Sequence, residues 1–475
     1  MNHVTSETFD QNARAALGDV QLRGALRNAT SLFGRRRLAA ARSLDNWEDL
    51  RSQARAIKDD VLLHLDSYLE QFVANAESRG AQFHWARDAA EANAIICKLA
   101  IERGARTIVK SKSMTTEETH LNVALEATGI QVVETDLGEY IIQLRGETPS
   151  HILAPAIHLR AKDVEQEFRK AHGDLLPERS LAEPEQLLAE ARQVLRAKFL
   201  AADVGITGAN FLVAETGTSI IVTNEGNGDL TQILPGAHIV IASIEKIVPT
   251  LEDAAQLLRV LARSATGQDA SVYTTLSTGP RRPGDPDGPR AYHVVLLDNG
   301  RSTMLGGEFQ DMLRCIRCGA CMNHCPVYQA VGGHAYGWVY PGPMGAVLTP
   351  SLIGVAEGGQ LPNASTFCGR CEEVCPVRIP LPGMMRHWRE REFERRLSPA
   401  PMRYGLGFWA FFAARPALYR MATGLAARAL HLAGRKKGRF ASLPFAGGWT
   451  RYRDLAAPQG ATFQSQWRAR SGAVR

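Results

Sequence analysis

Four cysteines fall within eleven residues in the stretch CIRCGACMNHCPVY, residues 315–328, and a partial echo, ASTFCGRCEEVCPVRIP, returns at residues 364–380. The first stretch spells C-x2-C-x2-C-x3-C-P. In such a run three closely spaced thiolates take three corners of one [4Fe–4S] cube, while the fourth, ahead of the proline, reaches a different cluster. Two residues between ligands let the backbone wrap a single cube, and Gly319 removes a side chain from its path.

Aligning the second motif on Cys375-Pro376 puts Cys371 and Cys368 at the third and second ligand positions and Ser365 at the first. Exchanging the terminal cysteines then gives one cluster from Cys315, Cys318, Cys321 and Cys375. A second follows from Cys325, Cys368 and Cys371, one thiolate short; both read as [4Fe–4S]. Ser365 or another oxygen or nitrogen ligand, a partner or small molecule, or a [3Fe–4S] centre would each account for the gap, and the sequence leaves these open. Structural zinc needs four ligands in a tetrahedron, commonly from two C-x2-C knuckles, and seven cysteines in this spacing suit it poorly. His324, inside CMNHC, reads as a neighbour of the ligands or a surface residue rather than a ligand, and Cys97, in apolar AIICKLA, as a buried core thiol.

Seven of the eight cysteines lie between residues 315 and 375. The start, MNHVTSETFDQNARAALGDV, has no basic patch followed by an apolar run and does not read as a secretory signal, so a reducing cytoplasm is expected. There, thiols serve metals and redox chemistry far more often than disulfides. At 475 residues, 45% apolar and 22% charged, the chain has the length of two or three domains and the composition of a globular protein.

The elements that must position these cysteines divide the chain into four. Residues 1–75 look helical, with Leu62, Leu65, Leu69 and Phe72 at three- and four-residue steps. Residues 76–304 alternate short strands (QFHW, TIVKS, IQVVET, NFLVAETGTSIIVTN, HIVIASIE, HVVLLD) with helices, the pattern of an α/β domain with a mostly parallel sheet. Helices fill an insertion at 161–203, and STGPRRPGDPDGPR at 277–290 is a loop. Residues 305–383, punctuated by glycine and proline, show no strand signal and hold the cysteines. The remainder, 384–475, reads as helices broken at Pro399, Pro401 and Pro416, and carries 18 Lys and Arg against 4 Asp and Glu, where the rest of the chain has 37 against 45.

Within that tail, residues 405–433 set Leu418, Met421, Leu425, Ala429 and Leu432 on one stripe behind Phe408, Trp409, Phe411 and Phe412. Arg415, Arg420 and Arg428 cut every apolar run short of the ~20 residues that span a bilayer. A basic amphipathic helix of this kind suits packing on the protein's own core, an acidic partner, or the surface of an anionic membrane. No nucleic-acid reading module accompanies the charge.

In the α/β region, Lys110, Lys112 and Ser113 precede a helix whose Thr115 and Glu118 have capping-box spacing, a pattern that suits an anion pocket and equally suits solvated lysines beside an ordinary cap. Glu215, Asn224 and Glu225 fall near strand ends, where α/β proteins place ligands. There is no G-x-G-x-x-G after a strand, no G-x-x-x-x-G-K-[ST] and no H-E-x-x-H.

Taken together, KSKSMTTEETHLNVALEATGIQVVETDLGEYIIQL, SHILAPAIHL, GITGANFLVAETGTSIIVTNEGNGDLTQILP, CIRCGACMNHCPVY, YGWVYPGPMGAVLTP and LPNASTFCGRCEEVCPVRIPLP resemble the bacterial lactate utilisation protein B family from about residue 45 onward. The resemblance implies a lactate-utilisation domain with a fold like the sugar-phosphate isomerase and CoA-transferase group, then a helical ferredoxin module, then a helical C-terminal extension. It implies action with A and C partner proteins in oxidising L-lactate to pyruvate, two iron–sulfur clusters on the same seven cysteines, and an absent eighth thiolate as a family feature. Glu215 and Gly217 loosely resemble the nucleophile region of CoA-transferases. The function expected is that of an electron-transfer subunit in an oxidoreductase complex; the rival is a transferase or isomerase in the α/β domain with clusters that regulate or stabilise it.

Overall fold

The computed structural model describes residues 4–173, 175, 178–444, 446–450 and 453–472. Ten strands form between residues 82 and 297: β1 (Gln82–Ala86), β2 (Thr107–Lys110), β3 (Gln131–Glu134), β4 (Val204–Thr207), β5 (Phe211–Val213), β6 (Thr218–Thr223), β7 (Ala237–Ser243), β8 (Ile247–Val248), β9 (Tyr273–Ser277) and β10 (Ala291–Leu297). Six of them make an all-parallel sheet in the order β1-β10-β7-β4-β2-β3. Its central strands are apolar without alternation because helices cover both faces; every residue of β4 and β7 is buried. The α/β class with a parallel sheet therefore holds.

Two details differ from the sequence expectation. NFLVAETGTSIIVTN does not join the parallel sheet: β5 and β6 pair antiparallel and, with β8 and β9, make a second sheet of four strands. The connection between β5 and β6 is too short for a crossover, which needs a dozen or more residues, so the two strands can only fold back on each other. In its place β4, VGIT, fills the gap between β2 and β7; flanked by helix and loop, four residues were too short to signal by pattern.

Helix starts follow local chemistry. Asp88 and Asp136 accept the amides of Glu91 and Glu139 at the heads of helices Ala89–Glu102 and Leu137–Arg145, and Thr250 accepts that of Asp253 ahead of Leu251–Ala265. The N-terminal helices Val20–Arg42 and Trp47–Leu63 pack on Leu251–Ala265 of the α/β domain, and Val20–Arg42 also on the short helices Ala320–Asn323 and Pro326–Val331 of the cysteine region. One apolar cluster consequently runs through all three segments, from Leu26 and Trp47 to Leu257 and on to Met344 and Trp388.

Residues up to Glu392 form one compact unit and Phe393–Arg475 a second. In the second, helices Ala400–Ala413 and Pro416–Gly434 pack together, with Pro401 and Pro416 in their first turns, where a missing N–H costs nothing. The two prolines open helices there instead of breaking them. A two-residue pairing, Arg439–Phe440 with Leu455–Ala456, adds strand where none was expected. Phe408, Trp409, Leu425 and Leu432 are exposed. Among the described residues, no helix is long and apolar enough to cross a membrane.

A chain of buried charges joins the α/β domain to the cysteine region. Arg301, fully buried after β10, pairs with Glu118 at 2.6 Å and with Glu245 at 3.0 Å. Glu245 reaches Arg317 at 3.2 Å, and Glu118 accepts hydrogen bonds from the Tyr340 hydroxyl and the Asn299 amide, both at 2.6 Å. Burial alone would raise both carboxyls; Arg301 outweighs it at Glu118, and Arg301, Arg317 and Lys246 hold Glu245 at about 2. Removing one member of such a network leaves the others charged and uncompensated. Arg301→Met is therefore expected to cost about 3–5 kcal/mol in denaturant unfolding. Glu118→Gln/Arg301→Met/Glu245→Gln should unfold later than Arg301→Met alone, and the reverse order would show that charge compensation is not what holds this joint.

Candidate functional site

The two cysteine motifs share one backbone design. In each, the residue before the second cysteine position has a left-handed backbone, Arg317 at φ 58° and Phe367 at φ 53°, and the glycine after it does too, Gly319 at φ 72° and Gly369 at φ 77°. A one-turn helix follows in both, Ala320–Asn323 and Arg370–Glu373. The reversals turn the chain back on itself so that side chains three positions apart converge. Pro326 then opens a helix directly after Cys325.

Cys315, Cys318, Cys321 and Cys375 line one small cavity, walled by Ile152, Met344, Ile379 and Leu381. Cys325, Cys368 and Cys371 line a second, together with Ser365, Thr366 and Tyr336. The first set is buried apart from a half-buried Cys315, whereas Cys368 in the second is exposed. All are free thiols. Ser365, at the place of the absent cysteine, lines the second cavity, and its Oγ accepts the Phe367 amide at 3.1 Å. Backbone amides point at the sulfurs: Ile379 donates to Cys375 Sγ at 3.4 Å, Ala320 to Cys318, and Val327 and Tyr328 to Cys325. Burial pushes the Cys318, Cys321 and Cys371 thiols up, and the neighbouring sulfurs add to it. Sulfurs crowded together, supplied with amide donors and reluctant to ionise alone, suit a centre whose metal cations displace the protons and whose thiolate charge the amides stabilise. The donor set fits iron–sulfur ligation.

The other candidate residues lie outside the walls of these two cavities. His324 turns Nδ1 to the Ala320 carbonyl at 2.9 Å and is not in either cavity wall. Cys97 is half-buried against the sheet's core, short of the full burial expected, because its helix shows one face to solvent. Thr115 and Glu118 form no capping box: Ser113 is the N-cap of helix Met114–Thr119, and the Glu118 carboxylate is drawn away to Arg301. Lys110 is fully buried, paired with Glu134 at 2.6 Å and Glu117 at 3.2 Å, so it serves the core and no pocket. Glu215 is exposed and accepts the Leu251 amide at 3.3 Å.

A larger cavity, about 270 Å³, does lie beside the cysteines. It opens at the carboxyl ends of β2 and β4, from which the chain leaves in opposite directions, to β3 and to β7; this crevice is where parallel sheets bind ligands. Lys112 and Ser113 follow β2, Gly208 and Asn210 follow β4, and Lys246 follows β7. A side chain at Gly208 would sit 2.7 Å from Ser113 Oγ, which explains the glycine. Asn224 and Glu225 reach this cavity, as do Lys246, Arg317 and Tyr340, which sequence reasoning missed. Arg317 and Ile152 also line the four-cysteine cavity, so the two spaces share a wall.

An α/β domain with a cavity at its strand ends and a module with two cysteine-lined cavities define a class of iron–sulfur proteins that the comparisons specify further. Residues 69–297 match the LUD domain, residues 311–379 the 4Fe-4S dicluster domain, and residues 399–472 the C-terminal domain of lactate utilisation protein B. Lactate utilization protein B of Bacillus licheniformis is 43% identical over 97% of this chain and 96% of its own length; that of Anoxybacillus flavithermus is 44% identical over 90% of each, and that of Bacillus subtilis 40% identical over 99% and 98%. A solved structure of a duf162 family protein from Deinococcus radiodurans aligns with 49% of this chain and 98% of its own at 17% identity and a TM-score of 0.29, too loose to carry an argument. The chain belongs to the lactate utilization protein B family.

The two loop glycines should respond unequally to substitution. Both Gly319→Ala and Gly369→Ala force an L-residue into the left-handed region, at about 1–2 kcal/mol. Only at Gly319 would the new methyl also meet a side chain, Leu153 at 3.0 Å; at Gly369 nothing lies within 4 Å. Denaturant unfolding should place Gly319→Ala below Gly369→Ala.

Proposed function

We propose that this chain is the electron-transfer iron–sulfur subunit of an assembly that oxidises L-lactate to pyruvate together with A and C partner proteins of lactate utilisation. The observation that carries the reading is the sorting of seven thiols into a group of four and a group of three within a dicluster module, in a chain whose relatives are named for lactate utilisation. Clusters held in these cavities accept one electron each, so two together match the pair released when a 2-hydroxy acid becomes a 2-oxo acid. Cys315, Cys318, Cys321 and Cys375 hold the inner centre, and Ile152, Met344 and Leu381 keep water from it. Cys325, Cys368 and Cys371 hold the outer one, where exposure of Cys368 gives a partner protein access. The basic tail, with Phe408, Trp409 and Leu425 exposed, supports docking on an acidic partner or an anionic membrane surface in a cytoplasmic setting.

The cavity at the strand ends favours a second reading, in which the α/β domain itself turns over a substrate and the clusters regulate or stabilise it. Anaerobic protein separates the two: cluster reduction by L-lactate only when the partners are present, read by electron paramagnetic resonance, supports the relay, and transferase or isomerase turnover by full-length protein stripped of iron supports the enzyme. A timed exposure to air should remove the three-cysteine centre first, read as partial loss of iron and acid-labile sulfide while one resonance signal persists. Loss of both centres at the same rate would count against the unequal ligation.

A further inference from the structure

Lys246 stands out among the buried cations of this protein. It is 8% exposed, lines the cavity at the strand ends, and has no hydrogen-bond or ion-pair partner among the described residues. The carboxylate beside it in the chain, Glu245, is spent on Arg301 and Arg317. The other buried lysines are satisfied, Lys58 by the Glu245 and Ile247 carbonyls and Lys110 by two carboxylates. Buried charges are retained at a cost to stability unless something pairs with them.

Lys112, half-buried, lines the same cavity with no hydrogen bond or ion pair among the described residues, and Arg317 supplies a third cation in the wall. Two carboxylates also reach the space, Asp136 and Glu225, but both accept amides at the head of the helix Leu137–Arg145, from Glu139 and Leu137. The wall thus carries three cations against two carboxylates, and Ser113 and Asn210 offer hydrogen-bonding groups along it. At ~30 Å³ per water, the volume takes roughly nine waters or one small metabolite.

We propose that this cavity is a binding site for a small organic anion, a carboxylic acid or a phosphate ester, whose negative group pairs with Lys246 and Lys112 against the wall shared with the four-cysteine cavity. The occupant sits on the α/β side of Arg317, next to the inner cysteine set and within the crevice where parallel sheets bind their ligands. The inference goes beyond the electron-transfer reading and does not depend on it.

Titration calorimetry on anaerobically prepared full-length protein tests it, with L-lactate, pyruvate, citrate, glycerol 3-phosphate and inorganic phosphate as probes. At least one should bind more tightly than roughly 1 mM; the acids and phosphates form separate arms that identify the source of the anion. Lys246→Met should weaken that probe about thirty-fold or more, the lower end of what loss of a buried charge partner produces, while melting no lower than the parent. Lys112→Met should weaken it in the same direction, and Lys98→Met, which removes an exposed lysine on another face, should leave it unchanged. The proposal is overturned if no probe reaches that affinity, or if both Lys246→Met and Lys112→Met bind as the parent does. Because binding is read as heat and not as cluster reduction, a failure here leaves the relay standing, and a failed relay leaves a measured anion site in place.

Discussion

The joint between the two halves of this protein rests on Arg301, a guanidinium sealed from water between Glu118 and Glu245. Glu118 comes from the helix after β2, Glu245 follows β7 and Arg301 follows β10, so three separate carboxyl ends of the parallel sheet are tied by one cation. The pairing extends to Arg317 and Tyr340 in the cysteine region. Arg317 is held by Glu245 on one side and lies over the Tyr340 ring at 5.1 Å on the other, which supports a left-handed backbone next to Cys318 that a non-glycine residue adopts only when its surroundings require it. The ion network therefore does more than join domains. It sets the turn that gathers the first three thiols.

The N-terminal helices complete the enclosure from the opposite side. Arg37 donates to the Val374 carbonyl at 2.8 Å, and Arg51 to the carbonyls of Glu373 and Cys375, also at 2.8 Å. Arg314, one residue before the first cysteine, pairs with Asp59 of the helix Trp47–Leu63. Cationic side chains thereby satisfy carbonyls that the second motif leaves without helical partners, and they bring positive charge beside thiolates. The same contacts tie the cysteine module to helices 255 to 337 residues upstream.

Much of this was legible beforehand, for identifiable reasons. The cysteine spacing is local and the fold preserves it, so the motifs could be read directly; strands such as HIVIASIE and helices such as the one from Leu251 announce themselves by apolar runs and caps. What misled were residues whose partners are remote. Glu118 has the right offset for a capping box, but a buried arginine 183 residues away claims it. Lys110 looked like an anion-pocket lysine beside a helix start, but it points into the core toward Glu134. Lys246 gave no signal, because a lysine after a strand is ordinarily exposed and only the packing around it shows that this one is buried in a cavity wall.

By itself the sequence determined the chemistry of the thiols, the parallel α/β core and the basic tail, since each is encoded over a few consecutive residues by spacing, periodicity or charge. Tertiary structure alone decided that the four-cysteine cavity shares a wall with the cavity at the strand ends, which strands leave the main sheet, and which buried lysine makes no hydrogen bond or ion pair among the described residues. Those outcomes depend on distances between groups far apart in the chain. Burial and pairing set the energy of a charge, and neither exists until the chain has folded.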